Sequence, residues 1–301
     1  MSNNSTVDYY IAPRGSFEAT ADAIRAVNGS TADITWGQDG FADIIGNVRK
    51  YTADNILGNS MTGDIVYTGT SFKSCSLSYQ TGITSITAEN VTSINDSVFQ
   101  LFRGCTGLTN IYMPKLTSIY NGSYFFAGCT SLTSITNANF PKLNRMYNTS
   151  MFEGCTGLTL FCIPALGTAN SSVKYMAGNT FKGCTNLETV DMASFNRITA
   201  NTFLNCAKLN ILILRNTSSV FTLDNVNAFS GTPYASGKSG GTIYIPKTLY
   251  DQLGSGTTNK DYKAATNWST LDGYGTVTWA KIEGSYYETH YADGTPIGGA
   301  S

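Results

Sequence analysis

Charge is scarce in this chain. Only 13% of its 301 residues are Asp, Glu, Lys or Arg, about half the share of roughly 25% usual in globular proteins, and the formal net charge is −1. A surface this neutral offers no footprint for a phosphate backbone, so no nucleic-acid partner is expected. It also lacks the basic patch that anionic membranes attract, and no run approaches 18 apolar residues, so no membrane insertion is expected. Histidine is nearly missing. His290 is the one imidazole, set among Tyr286, Tyr287 and Tyr291, with nothing around it to supply the acid and nucleophile of a Ser–His–Asp relay. Acidic residues are scattered, which leaves no carboxylate pair for glycoside chemistry. The first residues, Met1 to Arg14, hold no basic stretch followed by an apolar one. No secretory signal is read there, and synthesis in a cytoplasm is expected.

The cysteines make no metal site. There are seven, none in a C-x-x-C pair, and six recur at one repeat position. Reduced, buried, small hydrophobic side chains are the expectation, although stacked neighbours could approach disulfide distance. The stretch Gly231 to Ser239 nearly imitates a phosphate-binding loop, but five residues separate its glycines where four are needed. A strand is expected after it, not the helix whose N-terminus would hold phosphate. No enzyme, catalytic residue, cofactor or metal is expected.

What fills the chain instead is Gly, Ser, Thr and Asn around a recurring phrase. It reads Phe102-Arg-Gly-Cys105-Thr-Gly-Leu108-Thr-Asn-Ile111-Tyr-Met-Pro114-Lys-Leu116, and returns from Phe126, Phe152, Phe181 and Phe203. Weaker copies start at Phe72 and Phe229. The cysteine positions step by 30, 24, 26, 29 and 22 residues, as when loops of varying length are inserted on a fixed scaffold. The Leu-x-x-Ile piece predicts a short strand pairing in parallel with the next copy. Each coil buries four to six apolar side chains at roughly 1.5–3 kcal/mol apiece, against the ordering entropy of more than twenty residues. Alone it does not stand; stacked it does. Gly104, Gly128, Gly154 and Gly183 mark tight turns, and Pro114, Pro141 and Pro164 follow strands.

This phrase resembles the bacterial BspA-like leucine-rich repeat over about Phe72 to Pro246. The resemblance implies a right-handed solenoid with a short parallel β-sheet on one face, and binding or surface display as the role. The ends read differently. Ser16–Val27 predicts a helix capped by Ser16, and Phe41, Ile44, Ile45 and Val48 sit on one face of a second. That segment resembles a small helical module at the front of phage tail and other virion proteins, and a plain N-terminal cap is the other reading. Beyond the array, Gly241–Pro246 repeats the strand-then-proline phrase, and Tyr262–Trp268 predicts a helix burying Trp268. The tail from Gly275 alternates apolar and polar residues like a hairpin, one that could face a partner subunit. The expected organisation is an N-terminal helical attachment module at 1–52, a leucine-rich-repeat solenoid at 53–246, and a C-terminal α/β cap with a β-hairpin tail at 247–301.

The functional expectation is a non-enzymatic bacteriophage virion protein, a tail, receptor-binding or decoration component on the virion surface. Its expected partners are other virion proteins, copies of itself, or a host cell-surface protein or glycan. The alternative is a BspA-like adhesin at the bacterial cell surface, with an intracellular scaffold third. The binding face expected from strand alternation is Thr109, Asn110, Tyr112, Thr133, Ser134, Thr136, Glu188 and Asp191. Tyr112, Tyr120, Tyr124, Tyr147 and Tyr175 either join such a face or stack between coils.

Overall fold

A computed structural model describes residues 11–13, 62–67, 69–72, 77–94, 100–120, 123–168, 175, 177–257 and 259–297. The two expected N-terminal helices and Cys75 lie outside these residues. Each repeat turns around its Phe, and the chain is left-handed two residues before it and two after. Gln100 and Gly104 flank Phe102 in this way, as do Tyr124 and Gly128, Ser150 and Gly154, Asn179 and Gly183, and Asn201 and Asn205 around the next four. Asn tolerates this region better than most side chains, which fits its place at three of these positions.

After the turn comes a strand of two or three residues. One long face is built from β1 (Ile11–Pro13), β2 (Thr62–Tyr67), β3 (Gly82–Thr87) and β5 (Asn110–Tyr112). It continues through β7 (Ser134–Thr136), β9 (Leu160–Cys162), β10 (Thr189–Asp191), β12 (Ile211–Ile213), β14 (Gly241–Ile245) and β15 (Val277–Lys281). A second face carries β4 (Ser93–Ile94), β6 (Ser118–Tyr120) and β8 (Arg145–Tyr147), then β11 (Arg197–Ile198) beside β13 (Thr222–Leu223). Among the described strands only β1 and β2 pair antiparallel; the remaining pairings are parallel.

Parallel register puts like residues above like. The Phe102, Phe126, Phe152, Phe181 and Phe203 rings form a column with centroids 5.4, 5.5, 5.6 and 5.7 Å apart, nearly coplanar in orientation. Cys105, Leu108 and Ile111, with their counterparts in later repeats, are buried beside it. The thiols also donate. Cys129, Cys155, Cys184 and Cys206 each point Sγ at the carbonyl of the previous repeat's Phe, at 3.0–3.1 Å. A position expected to be merely small and apolar therefore also ties one coil to the last.

Between β5 and β7 the ladder is interrupted, and the side chain of Asn139 fills the gap. Its Oδ1 accepts from the Thr136 N–H at 2.7 Å and from Thr136 Oγ1 at 3.1 Å. Its Nδ2 donates to the Ile111 carbonyl at 2.9 Å and to Asn110 Oδ1 at 3.3 Å. The amide has the same donor and acceptor set as a peptide group, so it can stand in for one.

The C-terminal end departs from expectation twice. Residues 262–268 do not make a helix. Asp261 closes a turn by accepting from the Gly256 and Lys263 N–H groups, Asn267 turns left-handed (φ 63°), and the helix begins only at Trp268. Two short helices result, α1 (Lys247–Tyr250) and α2 (Trp268–Gly273). Trp268 is fully buried, as expected, with Nε1 donating to the Phe221 carbonyl at 2.7 Å. Nor is the tail from Gly275 a hairpin. β15 pairs in parallel with β14 and adds one more rung, because Val277 and Trp279 pack on the same core as the repeats before them.

Candidate functional site

On the long face the middle residue of each short strand points in and its neighbours point out. In β5, Ile111 is buried while Asn110 and Tyr112 are exposed, Tyr112 by 38%. The row formed by third strand positions runs Thr87 beside Tyr112, then Thr136, Cys162, Asp191, Ile213, Tyr244 and Ala280 in register. The row just before the strands holds Thr109, Thr133, Thr159 and Glu188, with Thr84 of β3 next to Thr109. There Thr109 Oγ1 donates to the Thr84 carbonyl and Thr159 Oγ1 to that of Thr133, both at 2.9 Å.

The expected binding residues divide. Thr109, Asn110, Tyr112, Thr133 and Glu188 are exposed, and Ser134 and Thr136 half-buried. Asp191 is not part of an open surface; it is 1% exposed. Alternation along the strand does turn it outward, but the C-terminal tail lies on top of it. That tail crosses the strands in order. The Tyr287 ring packs edge-on against Tyr244 at 4.8 Å. Arg215, two residues past β12, donates to the Tyr287 carbonyl at 2.8 Å and the His290 carbonyl at 3.0 Å. Its guanidinium also sits 4.5 Å over the Tyr291 ring and grips the Asp191 carboxylate with both Nε and Nη2, the shortest contact being 2.7 Å. The Ala292 N–H donates to Asp191 Oδ2 at 3.2 Å. Farther on, Asp293 Oδ2 accepts the Asn137 N–H at 3.0 Å.

Five of the six thiols at the repeat position, Cys105, Cys129, Cys155, Cys184 and Cys206, lie in the core; Cys162, outside that position, is different. It faces outward in the third row, yet is fully buried under the tail. Burial, then the Asp191 and Asp293 carboxylates, push its thiol well above the ordinary range, against a smaller opposing pull from the Asp293 and Ala292 backbone. Burial likewise raises the ladder thiols, Cys105 to about 11 and Cys155 and Cys206 to about 12. All the described cysteines are free.

Residues 100–236 match the family model of the BspA type leucine rich repeat region, in six copies.

The matched repeats account for β5 to β13, while β3, β14 and β15 carry the parallel ladder past both ends of the match. Among solved structures, the chain is similar to a leucine-rich repeat protein from Bacteroides ovatus ATCC 8483. Identity is 18% and the TM-score 0.33, over 68% of this chain and 56% of that one. The alignment thus spans little more than half of that protein's length. No curated protein matches the chain. The matched span begins after the N-terminal segment that resembles virion modules, and neither comparison carries that resemblance.

The repeats' second face is aromatic. Tyr120 stacks on Tyr147 with ring centroids 6.0 Å apart, Tyr147 meets Tyr175 edge-on at 5.4 Å, and Arg197 lies over Tyr175 at 4.9 Å. Asp224 holds Arg197 through two bonds of 2.8 and 2.9 Å, and that bond raises the guanidinium's pKa. A hydrogen bond with Tyr175 does the same for the Tyr147 hydroxyl. These tyrosines stack between coils, whereas Tyr112 stands free of such a column and Tyr124 packs under Arg103 at 5.0 Å. Sequence reasoning did not find Arg215, Arg197 or Asn139. Arg215 and Arg197 have carboxylate partners 24 and 27 residues away, and Asn139, though bonded to nearby Thr136, reaches the Ile111 carbonyl 28 residues back, so the coil register brings these groups together.

Proposed function

We propose that the chain is a non-enzymatic binding protein, a leucine-rich-repeat solenoid that presents the open half of its long face to a protein or glycan at a cell surface. One observation carries this reading. Asn110 and Tyr112 project from β5 beside Thr87, with Thr109 and Thr133 along the adjoining row. The result is a polar strip, without a charged residue among these five, that includes an exposed tyrosine. Such a strip suits contact by hydrogen bonds and aromatic packing, since a tyrosine supplies area at low entropic cost. It has none of the charge that would steer a phosphate-rich ligand.

Within this reading we favour a surface-displayed adhesin of the BspA type, because the family match covers the repeats that form the face. The virion reading, for which the front module was one of several grounds, has no match behind it. Adjacent capsid or tail genes would restore it. The direct test uses the fluorescently labelled chain, scored for binding to bacterial and mammalian cells by flow cytometry and to a glycan array. Tyr112→Ala together with Glu188→Ala should reduce any binding seen by roughly tenfold or more, the scale of one lost contact cluster. Unchanged binding by the double variant would move the contact surface elsewhere.

A further inference from the structure

The C-terminal segment 282–297 covers half of the long face without belonging to the core. None of its residues is buried, and Tyr286 is 55% exposed. Beneath it, Cys162, Asp191 and Ile213 are at most 1% exposed. A segment that shields others while burying little of itself has few apolar contacts to lose on lifting, which is the signature of a low-cost local opening. Beyond the Ile282 N–H on the Ile245 carbonyl at its base, its attachments are the Tyr287 ring on Tyr244, the carbonyls of Tyr287 and His290 and the Tyr291 ring on Arg215, the Ala292 N–H on Asp191, the Ala292 and Asp293 backbone at Cys162, and Asp293 on the Asn137 N–H.

The segment also holds its own shape. Tyr291 N–H donates to the Thr295 carbonyl at 2.8 Å, Ile297 N–H to that of Thr289 at 2.8 Å, and Gly294 N–H to that of Tyr291 at 3.0 Å. Asp293 Oδ1 accepts from the Thr295 N–H, and the Tyr286 and His290 rings stack at 4.7 Å. At its base Gly284 is left-handed (φ 74°) with open space around its Cα, a backbone position that accepts rotation readily.

From these observations we propose that residues 282–297 are a latch hinged near Gly284. It opens as a unit while the repeats stay folded, and opening bares the row Cys162, Asp191 and Ile213, continuous with the open half of the face. Closed, the latch limits the accessible repeat surface to the N-terminal half. Open, the surface extends toward β14 and adds the Cys162 thiol, the Asp191–Arg215 ion pair and Ile213, so the two states present different chemistry to a partner. The Arg215–Asp191 pair is the bolt, because between them the two side chains meet the latch at four residues, Tyr287, His290, Tyr291 and Ala292.

Cys162 reports the opening. Its thiol is inert while covered and labels when the latch lifts, whereas Cys105, Cys129, Cys155, Cys184 and Cys206 are shielded by the core itself. The experiment is pulsed N-ethylmaleimide labelling of the full chain, read cysteine by cysteine by mass spectrometry across a range of urea below the unfolding midpoint. The expected result is that Cys162 labels faster than the five others at a rate nearly independent of urea, while theirs rises steeply with it. Asp293→Ala and Tyr287→Ala should each raise the Cys162 rate roughly tenfold and leave the other five unchanged. Arg215→Met strands a buried carboxylate and risks misfolding, so the two latch variants carry the test. If either lowers the global midpoint, the urea dependence in the unmodified chain decides alone. Cys162 labelling in step with the five core thiols would overturn the proposal, and so would labelling at the rate of a free thiol.

Discussion

Replacing Asn139 isolates a place where a side chain stands in for the β ladder. Asn139→Ala removes the acceptor of the Thr136 N–H and the donor to the Ile111 carbonyl. A buried backbone group left without a partner costs about 1–3 kcal/mol. The Ile111 carbonyl is deep, whereas Thr136 is half-buried and can recruit water, so the second cost falls near the lower end. The sum is about 2–4 kcal/mol, read as a lowered urea midpoint at unchanged slope. Asn139→Asp separates the two roles. It keeps the acceptor for Thr136 but turns carboxylate oxygen toward the Ile111 carbonyl and Asn110 Oδ1, so at neutral pH it should cost at least as much. Protonation restores one donor, so the folded state favours the protonated form and the variant's deficit should shrink as pH falls through the carboxyl range. Asn186→Ala is the control. Its Nδ2 donates to the Thr156 carbonyl at 2.7 Å, but on the surface, where the loss should stay within about 0.5 kcal/mol. A cost for Asn139→Ala as small as that control would refute the role assigned to the amide.

Three further outcomes follow from the same contacts. Arg215→Met should cost about 3–5 kcal/mol, because Asp191 is fully buried and would be left uncompensated. Arg197→Met, whose partner Asp224 lies in a pair 42% and 23% exposed, should cost no more than about 1 kcal/mol; equal effects in urea unfolding would contradict the burial argument. Gly157→Ala should cost about 1–3 kcal/mol, since an added Cβ would lie 2.2 Å from the Thr130 carbonyl of the preceding coil; an unchanged midpoint would mean the coils are spaced more loosely. Asp261 has a lowered pKa: burial raises it, but N–H donors from Gly256, Gly254 and Lys263 outweigh that. A depressed carboxyl contributes stability above its unfolded pKa and loses it as pH falls through the folded one. Asp261→Asn should therefore flatten the acid limb of stability against pH, and an identical limb would rule this contribution out.

Much of the repeat was legible because its signal is local. Phe, Cys, Leu and Ile recur at fixed offsets, and the column of rings follows directly from stacking them. The turns were half legible. Glycine two residues after the Phe announces a left-handed position, but Gln100, Tyr124 and Ser150 occupy the matching position before it and carry no such signal. The exposure of the long face was half legible for another reason. Strand alternation correctly turned Asp191 outward, yet burial depends on what lies above a strand, and the covering segment is about 100 residues farther along the chain. Separation in sequence also hid Arg215, whose partners lie 24 to 75 residues away, and the Asn139 bond to Ile111, 28 residues back; both side chains look like ordinary surface groups until the coil register supplies those partners. The last strand was misread because a single alternating run cannot say whether its partner is its own continuation or the coil before it. β15 chose the coil.

The account stands on side chains shared between neighbouring coils, and a double-mutant cycle measures that sharing. Phe126→Leu and Phe152→Leu remove rings 5.5 Å apart, and their combined cost in urea unfolding should differ from the sum of the single costs by about 0.5–1.5 kcal/mol. Phe126→Leu with Phe203→Leu, separated by two intervening rings, should add to within about 0.5 kcal/mol. Simple additivity for the adjacent pair would contradict the stacked arrangement.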